Sequence, residues 1–206
     1  MNVLITGGNG RMARHIESTD KITFLKPNRQ ELDLASLDSI DNYLNTHTVD
    51  GILLNAVHYP PGKIDLNNFR GQAESFFNAT KVNLVATIYI YKKLQDNLKF
   101  ISLLTTGLDP ETELSSPFYR NSKMAVADML VRLSYSDKKI KTFFIHPGHM
   151  HDDYTYKQSA LQITKMIEDT DRFKNLGHYG IFNKDVMQCK ELYSLTSYNT
   201  VEIIKL

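Results

Sequence analysis

Short, continuous apolar runs alternate along the chain with longer segments of helical spacing. The apolar runs occupy residues 2–6, 22–25, 51–55, 100–105 and 140–146. Continuous runs of this kind are typical of strands covered on both faces in a parallel sheet. The intervening segments predict helices at residues 11–17, 36–46, about 72–94, 116–134 and 158–168. The pattern predicts a single α/β domain with a doubly wound parallel sheet.

Length and composition describe an ordinary globular protein and exclude some partners. The 206 residues fit one domain with its own core, and the formal net charge of +1 gives no overall attraction to nucleic acid or an anionic membrane. The single cysteine, Cys189, excludes an internal disulfide. The sequence has no signal-peptide pattern and no apolar run near the ~18 residues of a membrane span. We therefore expect a cytoplasmic protein.

Three glycines follow the first apolar run within four positions, and a helical segment begins directly after them. The stretch reads Thr6-Gly7-Gly8-Asn9-Gly10. The first βα turn of a parallel sheet is a usual phosphate site, where main-chain N–H groups and a helix start meet a dinucleotide. Gly7 would permit the tight turn, Gly10 would let backbone approach the phosphate, and Ala13 would allow close helix packing. The turn indicates a Rossmann-type nucleotide site, and the lack of a following Gly-Lys-Ser/Thr disfavours a P-loop.

A tyrosine and a lysine four residues apart open the helix after the fourth long strand. The spacing places Tyr119 and Lys123 on one helical face, a single turn apart. Tyr119 also lies thirteen residues after Thr106, which closes the apolar strand. The same spacing recurs at Tyr59/Lys63, Tyr89/Lys93 and Tyr135/Lys139. Of the four tyrosines, Tyr119 alone starts a helix at the carboxyl end of a predicted strand.

Taken together, these motifs resemble the short-chain dehydrogenase/reductase family over most of the chain. Residues 6–13 are similar to its cofactor turn, and Thr106, Tyr119 and Lys123 are similar to its hydroxyl, tyrosine and lysine. Asp33-Leu34 is similar to the acidic pair that holds adenine, and Asn55-Ala56-Val57 is similar to the Asn-Ala-Gly strand end. Val82-Asn83-Leu84 is similar to the segment with the helical asparagine, and Ile145-His146-Pro147-Gly148 is similar to the Pro-Gly segment. The resemblance implies an NAD(P)(H)-dependent oxidoreductase that reduces a carbonyl or oxidises an alcohol on a small substrate.

The resemblance also implies a role for each matching residue. Tyr119 would be the general acid and base, Thr106 would hydrogen-bond the substrate oxygen, and Asn83 would tie a water into the proton path. A free tyrosine has a pKa of about 10, and the ammonium of Lys123, which would also hold the nicotinamide ribose, is expected to lower it. The residues expected to contact the cofactor are Thr6, Gly7, Gly8, Asn9, Gly10, Arg11, Met12, Arg29, Asp33, Leu34, Asn55, Ala56, Val57, Tyr119, Lys123, Pro147 and Gly148.

The segment after the second strand favours NADP(H) over NAD(H). A carboxylate about twenty residues past the glycine turn would hold the ribose 2′-hydroxyl of NAD. Residues 24–29 contain no carboxylate and two cations, Lys26 and Arg29. With Arg11 beside the turn, these cations are suited to a 2′-phosphate.

A short substrate cap is expected at about residues 148–157. We expect Thr106, His149, Met150 and Tyr154 to contact the substrate, with His151 and Tyr156 also shaping a small, partly aromatic pocket. Asp152 stands where many family members have a threonine that contacts the cofactor carboxamide, which weakens the prediction of that contact.

The sequence is also compatible with other functions. Residues 149–153 have the His-x-His-x-Asp spacing of a metallohydrolase ligand run. Tyr154 replaces the next histidine and the βα pattern is wrong for that fold, so we expect no metal. An extended-type sugar-nucleotide reductase and a protein that senses NAD(P) without turnover are the remaining alternatives. Relatives of the family associate through the long helices at about 72–94 and 116–134, which predicts a homodimer or homotetramer.

Overall fold

The computed structural model describes residues 1–58, 66–105, 117–147, 152–182, 185–189 and 202–204. The described strands are β1 (Asn2–Ile5), β2 (Thr23–Leu25), β3 (Gly51–Leu54), β4 (Phe100–Leu104), β5 (Lys141–His146), β6 (Gly177–Phe182), β7 (Asp185–Cys189) and β8 (Glu202–Ile204). They form one sheet in the order β2-β1-β3-β4-β5-β6-β7-β8. Strands β1 to β6 are parallel, and β7 and β8 continue the sheet antiparallel. The predicted doubly wound α/β fold is confirmed.

The strand order reverses beside β1. The chain passes from β1 outward to β2 and then returns to β3 on the other side of β1. Ligands of open α/β sheets bind at the carboxyl ends of the strands at such a reversal. One described strand, β2, lies beyond β1, whereas two occupy that side in the six-stranded Rossmann order.

Helices cover both faces of the sheet. They are α1 (Arg11–His15), α2 (Leu37–Thr46), α3 (Phe69–Thr80), α4 (Ala86–Leu94), α5 (Pro117–Ser136) and α6 (Asp153–Glu168). Successive strand residues point to opposite faces, so that Leu103 packs in one cluster with residues of α2, α4 and α5, and Leu104 packs in another with residues of α1 and α6. Within the described residues, none of the helices has the length and apolar character that a bilayer crossing requires.

Three features differ from the sequence-based expectation. The single helix expected at about 72–94 is two helices, α3 and α4, joined by a π-helical turn at Lys81–Val85. Helix α6 begins at Asp153, five residues earlier than expected, because Asp152 and Thr155 form a reciprocal capping box. Strand β7 was not predicted.

Candidate functional site

A cavity of about 550 Å³ lies at the carboxyl ends of the strands, where their order reverses. It extends from the turn after β1 to the first turns of α5. The described residues that line it include most of those expected to contact a cofactor: Gly7, Gly8, Asn9, Gly10, Arg11, Met12, Arg29, Asp33, Leu34, Asn55, Ala56, Val57, Tyr119, Lys123 and Pro147. The structure thus brings together residues from distant parts of the chain.

Other predicted residues lie elsewhere. Thr6 and Asn83 are buried and line a small inner cavity that also contacts Lys123. Tyr154 is 60 % exposed on α6 and does not line the larger cavity, whereas Tyr156 does. Thr106, Gly148, His149 and Met150, together with His151, lie outside the described residues.

The glycine turn is fixed by its own packing. Gly7 has a φ of 69°, and a Cβ atom there would lie 2.9 Å from the Cα of Ala56. A Cβ atom on Gly8 would lie 2.3 Å from the carbonyl carbon of Lys26. The Asn55 amide donates to the main-chain oxygens of Thr6 and Gly7 at 3.1 and 3.2 Å. Asn55 therefore holds the turn in place from the end of β3.

The Thr6 side chain joins the same arrangement from beneath. Its hydroxyl accepts hydrogen bonds from the main-chain N–H groups of Asn55 and Ala56 at 3.1 and 3.0 Å. Because Thr6 is 3 % exposed, its side chain ties the ends of β1 and β3 together inside the protein. These contacts explain why the sequence places a small polar residue before the glycines.

Tyr119 lies in the first turn of α5 with its hydroxyl beside the end of β4. Its phenolic oxygen is 3.2 Å from the hydroxyl oxygen of Thr105, within hydrogen-bond distance. The Lys123 ammonium lies 5.9 Å from the centre of the Tyr119 ring. The helical spacing seen in the sequence therefore places phenol and ammonium at one end of the same cavity.

Lys123 is 2 % exposed, which is rare for a lysine. Its ammonium donates to the main-chain oxygen of Ala56 at 3.1 Å. Burial lowers the pKa of Lys123 to about 8, because desolvation disfavours the charged form. The side chain is therefore a polar group held inside the protein at a cost to stability.

Asn83 lies in the π-helical turn and connects two walls of the cavity. Its side-chain oxygen accepts from the main-chain N–H of His58 at 3.2 Å, and its amide nitrogen donates to the Ser122 hydroxyl at 2.9 Å. Ser122 in turn donates to the main-chain oxygen of Tyr119 at 2.8 Å. The Asn83 side chain thereby links the segment after β3 to the helix that carries Tyr119 and Lys123.

The predicted cations differ in their surroundings. Arg29 lines the cavity with its side chain 83 % exposed, and its Nε lies 3.7 Å from a carboxylate oxygen of Asp33. Arg11 also lines the cavity, with its guanidinium 5.4 Å from the centre of the Tyr156 ring. Lys26 instead donates to the main-chain oxygen of Ile16 at 2.8 Å and is not among the residues lining the cavity.

The histidine-rich segment of the metallohydrolase alternative is only partly described. Asp152 accepts a hydrogen bond from the main-chain N–H of Thr155 at 2.8 Å as the cap of α6. Within the described residues there is no group of three or more histidine, cysteine or carboxylate side chains arranged to bind a metal. The capping role explains why an aspartate stands at position 152.

Two buried histidines lie behind the Tyr119 end of the cavity. Nδ1 of His146 is 2.9 Å from the main-chain oxygen of Thr105, and Nε2 is 3.2 Å from Nδ1 of His178. Burial lowers the pKa of His146 to about 4 and that of His178 to about 3. Both imidazoles are therefore neutral near pH 7.

His58 and Thr105 are among the cavity-lining side chains that sequence reasoning missed. His58 follows the Asn-Ala-Val strand end and lines the cavity, but nothing in its local pattern marks it. Thr105 was read only as part of a strand. The alternation along β4 is the signal that finds it, because Leu103 faces α5 and the residue two positions later shares that face.

Comparisons with known proteins identify the fold. No protein-family model and no curated protein matches the sequence. Among solved structures, a carbonyl reductase from Pseudomonas aeruginosa PAO1 is 15 % identical with a TM-score of 0.65, and 87 % of this chain aligns with 96 % of that one.

Two further structures contain a cofactor or its derivative. A short-chain dehydrogenase/reductase family oxidoreductase from Brucella ovis, in complex with a partially ordered NAD, is 14 % identical with a TM-score of 0.65 over 88 % of this chain and 98 % of that one. An alcohol dehydrogenase from Thermococcus sibiricus, complexed with 5-hydroxy-NADP, is 15 % identical with a TM-score of 0.65 over 87 % and 95 %. The chain therefore has the fold of the short-chain dehydrogenase/reductases.

Proposed function

We propose that this protein is an NAD(P)(H)-dependent oxidoreductase of the short-chain dehydrogenase/reductase type, which reduces a carbonyl or oxidises an alcohol on a small substrate. One observation carries the proposal: a single cavity has the glycine turn at one end and the side chains of Thr105, Tyr119 and Lys123 at the other. A dinucleotide that reacts with a carbonyl needs both environments in one cavity. Its phosphates need the glycine turn, and the reacting carbonyl needs the polar side chains. The resemblance of the fold to solved oxidoreductases supports the same conclusion.

The residues present fit a dinucleotide. Gly7, Gly8 and Gly10 present only main chain to the cavity, and helix α1 begins after Gly10, which has no side chain with which to cap it. The first N–H groups of a helix have no partner within that helix, so those of Arg11 and Met12 are suited to phosphate oxygens. Asp33 and Leu34 line the cavity beyond this turn, where they would hold the adenosine.

In the proposed reaction, each side chain at the Tyr119 end of the cavity has one task. A bound nicotinamide supplies the hydride for reduction or accepts it in oxidation. Tyr119 donates the proton to the carbonyl oxygen, or removes it from the alcohol in the reverse direction. Thr105, hydrogen-bonded to the phenol, is placed to orient the same oxygen. The Lys123 ammonium favours the phenolate by its positive charge.

Asn83 is proposed to position Tyr119, the proton donor, indirectly through hydrogen bonds within the protein. Its amide connects the main chain near His58 to Ser122, which hydrogen-bonds the main chain of Tyr119. This arrangement supports a role in fixing the first turn of α5. The water-binding role that the family resemblance implies for Asn83 stays a prediction.

A preference for NADP(H) is proposed on the charges at the adenosine end. Arg11 and Arg29 line the cavity, and Arg29 is exposed enough to reorient toward a 2′-phosphate. Asp33 lies beside Arg29 and competes with a phosphate for the guanidinium. Because related folds occur with NAD and with an NADP derivative, the preference must be measured directly.

The Arg29→Ala variant tests that preference. We expect it to weaken NADPH binding about tenfold and to change NADH binding less than about twofold, because a guanidinium contributes a charge-assisted hydrogen bond only to the 2′-phosphate. Fluorescence titration of both dinucleotides measures the effect. The control is Arg132→Ala, since Arg132 also pairs with an aspartate four residues away, Asp128 on α5, and does not line the cavity. Equal weakening of both dinucleotides, or of neither, contradicts the preference.

The titration of the unmodified protein tests the proposed function itself. We expect at least one of NADPH and NADH to quench the protein fluorescence or to change its own fluorescence on binding. The same dinucleotide should raise the melting temperature of the protein, because a ligand that binds the folded state stabilises it. No response to either dinucleotide, by fluorescence and by thermal shift, contradicts the nucleotide site.

A homodimer or homotetramer is proposed from the exposed apolar side chains of α3, the π-helical turn and α4. Phe77, Val85 and Ile88 are 69 %, 43 % and 45 % exposed. Apolar side chains grouped on one helical segment are typical of an interface. Light scattering at micromolar concentration is expected to give at least twice the monomer mass, and a monomer mass contradicts this proposal.

A further inference from the structure

At the carboxyl end of β4, the hydrogen-bond ladder between β4 and β5 lacks one main-chain N–H donor. The pairing is in parallel register, with Leu104 opposite Ile145, and the main-chain N–H of Thr105 donates to the Ile145 oxygen at 3.0 Å. In a parallel ladder, the next bond runs from the N–H of residue 147 to the Thr105 oxygen. Residue 147 is a proline and has no N–H. Pro147 therefore cannot make this main-chain bond to the Thr105 carbonyl.

The side chain of His146 supplies that donor. Its Nδ1 lies 2.9 Å from the Thr105 oxygen, and His146 is 3 % exposed. Because a carbonyl oxygen only accepts hydrogen bonds, Nδ1 must carry the hydrogen. One side chain thus replaces the main-chain bond that Pro147 cannot make.

His178 fixes the second nitrogen of the same ring. Nε2 of neutral His146 is an acceptor, so that Nδ1 of His178, at 3.2 Å, must be the donor. The His178 ring stacks on Phe144 with 4.4 Å between ring centres and 3° between planes. Both rings are therefore constrained, and each is in the Nδ1–H tautomer.

His146 bonds the carbonyl of Thr105, and the hydroxyl of the same residue contacts the Tyr119 phenol. We propose that His146 is a positioning residue, oriented by His178, which fixes the end of β4 and so presents the Thr105 hydroxyl to Tyr119. The proposal rests on the proposed oxidoreductase function for its catalytic consequence. The lowered pKa of both histidines agrees with it, because a neutral pair keeps the directed hydrogen bonds near pH 7.

The tautomers give a direct test that requires neither cofactor nor turnover. ¹⁵N chemical shifts of the imidazoles in the unmodified protein are expected to show His146 and His178 neutral and protonated on Nδ1 at pH 7. Variants His146→Phe and His178→Phe assign the signals. A His146 ring protonated on Nε2 alone overturns the proposal.

Three variants test the link to Tyr119. His146→Leu removes the donor, whereas His146→Asn keeps one, because its amide nitrogen is as many bonds from the backbone as Nδ1. Pro147→Ala restores the main-chain N–H, so the effect of His146→Leu is expected to be smaller in the Pro147→Ala background than in the unmodified protein. The ¹³Cζ chemical shift of Tyr119, assigned by the loss of its signal in Tyr119→Phe, reports the surroundings of the phenol. It is expected to move in His146→Leu and to stay in place in His146→Asn.

Turnover supplies the functional readout. We expect His146→Leu to lower kcat about tenfold or more with the cofactor KM changed less than about twofold, and His146→Asn to retain kcat within about threefold, because small displacements of catalytic groups have effects of this size. An unmoved Tyr119 signal in folded His146→Leu, or equal losses in the leucine and asparagine variants, overturns the proposal. An unmodified protein without turnover contradicts the proposed function instead, and the tautomers and the Tyr119 signal still decide the positioning role.

Discussion

Tyr119→Phe is expected to lower kcat for carbonyl reduction by about 10²- to 10⁴-fold, the range for loss of a general acid. The substitution removes the phenolic oxygen that lies 3.2 Å from Thr105 and leaves the ring in place at the cavity. Cofactor affinity is expected to change less than about threefold, because the phosphate and adenosine ends are untouched. Steady-state NADPH oxidation against a panel of carbonyl compounds measures kcat, and fluorescence titration measures affinity.

The chain offers a matched control for this substitution. Tyr89 also precedes a lysine by four residues, but its hydroxyl donates to Asp41 at 2.8 Å, and it does not line the cavity. Tyr89→Phe is therefore expected to keep kcat within about twofold. If Tyr119→Phe turns over as fast as the Tyr89 variant, Tyr119 is not the acid.

Lys123→Met is expected to separate stability from activity. Lowering the pKa of Lys123 from 10.5 to about 8 corresponds to about 3 kcal/mol of destabilisation below pH 8. Loss of the bond to the Ala56 oxygen offsets about 1 kcal/mol of the gain. The variant without cofactor should therefore be about 2 kcal/mol more stable at pH 7, while its kcat falls about 10²-fold or more because the charge beside the phenol is gone.

The pH dependence of this difference has a definite sign. The folded-state pKa of Lys123 lies below the unfolded value, so the unfolded protein binds the extra proton between pH 8 and 10.5. The destabilisation by Lys123 is complete below pH 8 and disappears as the pH rises toward 10.5. The stability advantage of Lys123→Met should therefore shrink across that window in denaturant unfolding measured from pH 7 to 10.5.

Lys93→Met is the control for this second prediction. Lys93 belongs to the Tyr89/Lys93 repeat of the spacing, but its ammonium pairs with Asp41 at 2.9 Å. Asp41 and Tyr89 raise the pKa of Lys93, the direction opposite to that of Lys123. Removing this paired charge is expected to lower stability and leave kcat unchanged. A Lys123→Met protein that is less stable than the unmodified one at pH 7 contradicts the account.

The fold and the glycine turn could be predicted from the sequence for a physical reason. Strands buried on both faces need continuous apolar runs, and the turn after β1 needs glycine at Gly7 and Gly8 because backbone atoms occupy the space of a Cβ. These requirements are local along the chain. A single sequence therefore predicts strands β1 to β5, their alternation with helices and the glycine turn.

The end of the cavity at Tyr119 was harder to predict because it depends on the alternation of side chains along β4 and on contacts between distant parts of the chain. Spacing from Tyr119 indicates Thr106, but the pleat of β4 brings Thr105 to the face of α5, and its hydroxyl is the described one that contacts the phenol. Position 106 lies outside the described residues, so its role stays a prediction. The engagement of Lys26 with Ile16 and the pairing of Arg29 with Asp33 depend on the folded chain, and neither is visible in residues 24–29 alone.

Transfer of deuterium from [4-²H]NADPH or [4-²H]NADH, labelled on each face in turn, tests the central claim most directly. With a panel of small carbonyl compounds, mass spectrometry of the alcohols is expected to find deuterium on the former carbonyl carbon with the unmodified protein, and at least 100-fold less with Tyr119→Phe. Transfer at equal rates by both proteins contradicts the role of Tyr119. Binding of the dinucleotide without transfer to any carbonyl contradicts the proposed enzyme and favours a protein that senses NAD(P) without turnover.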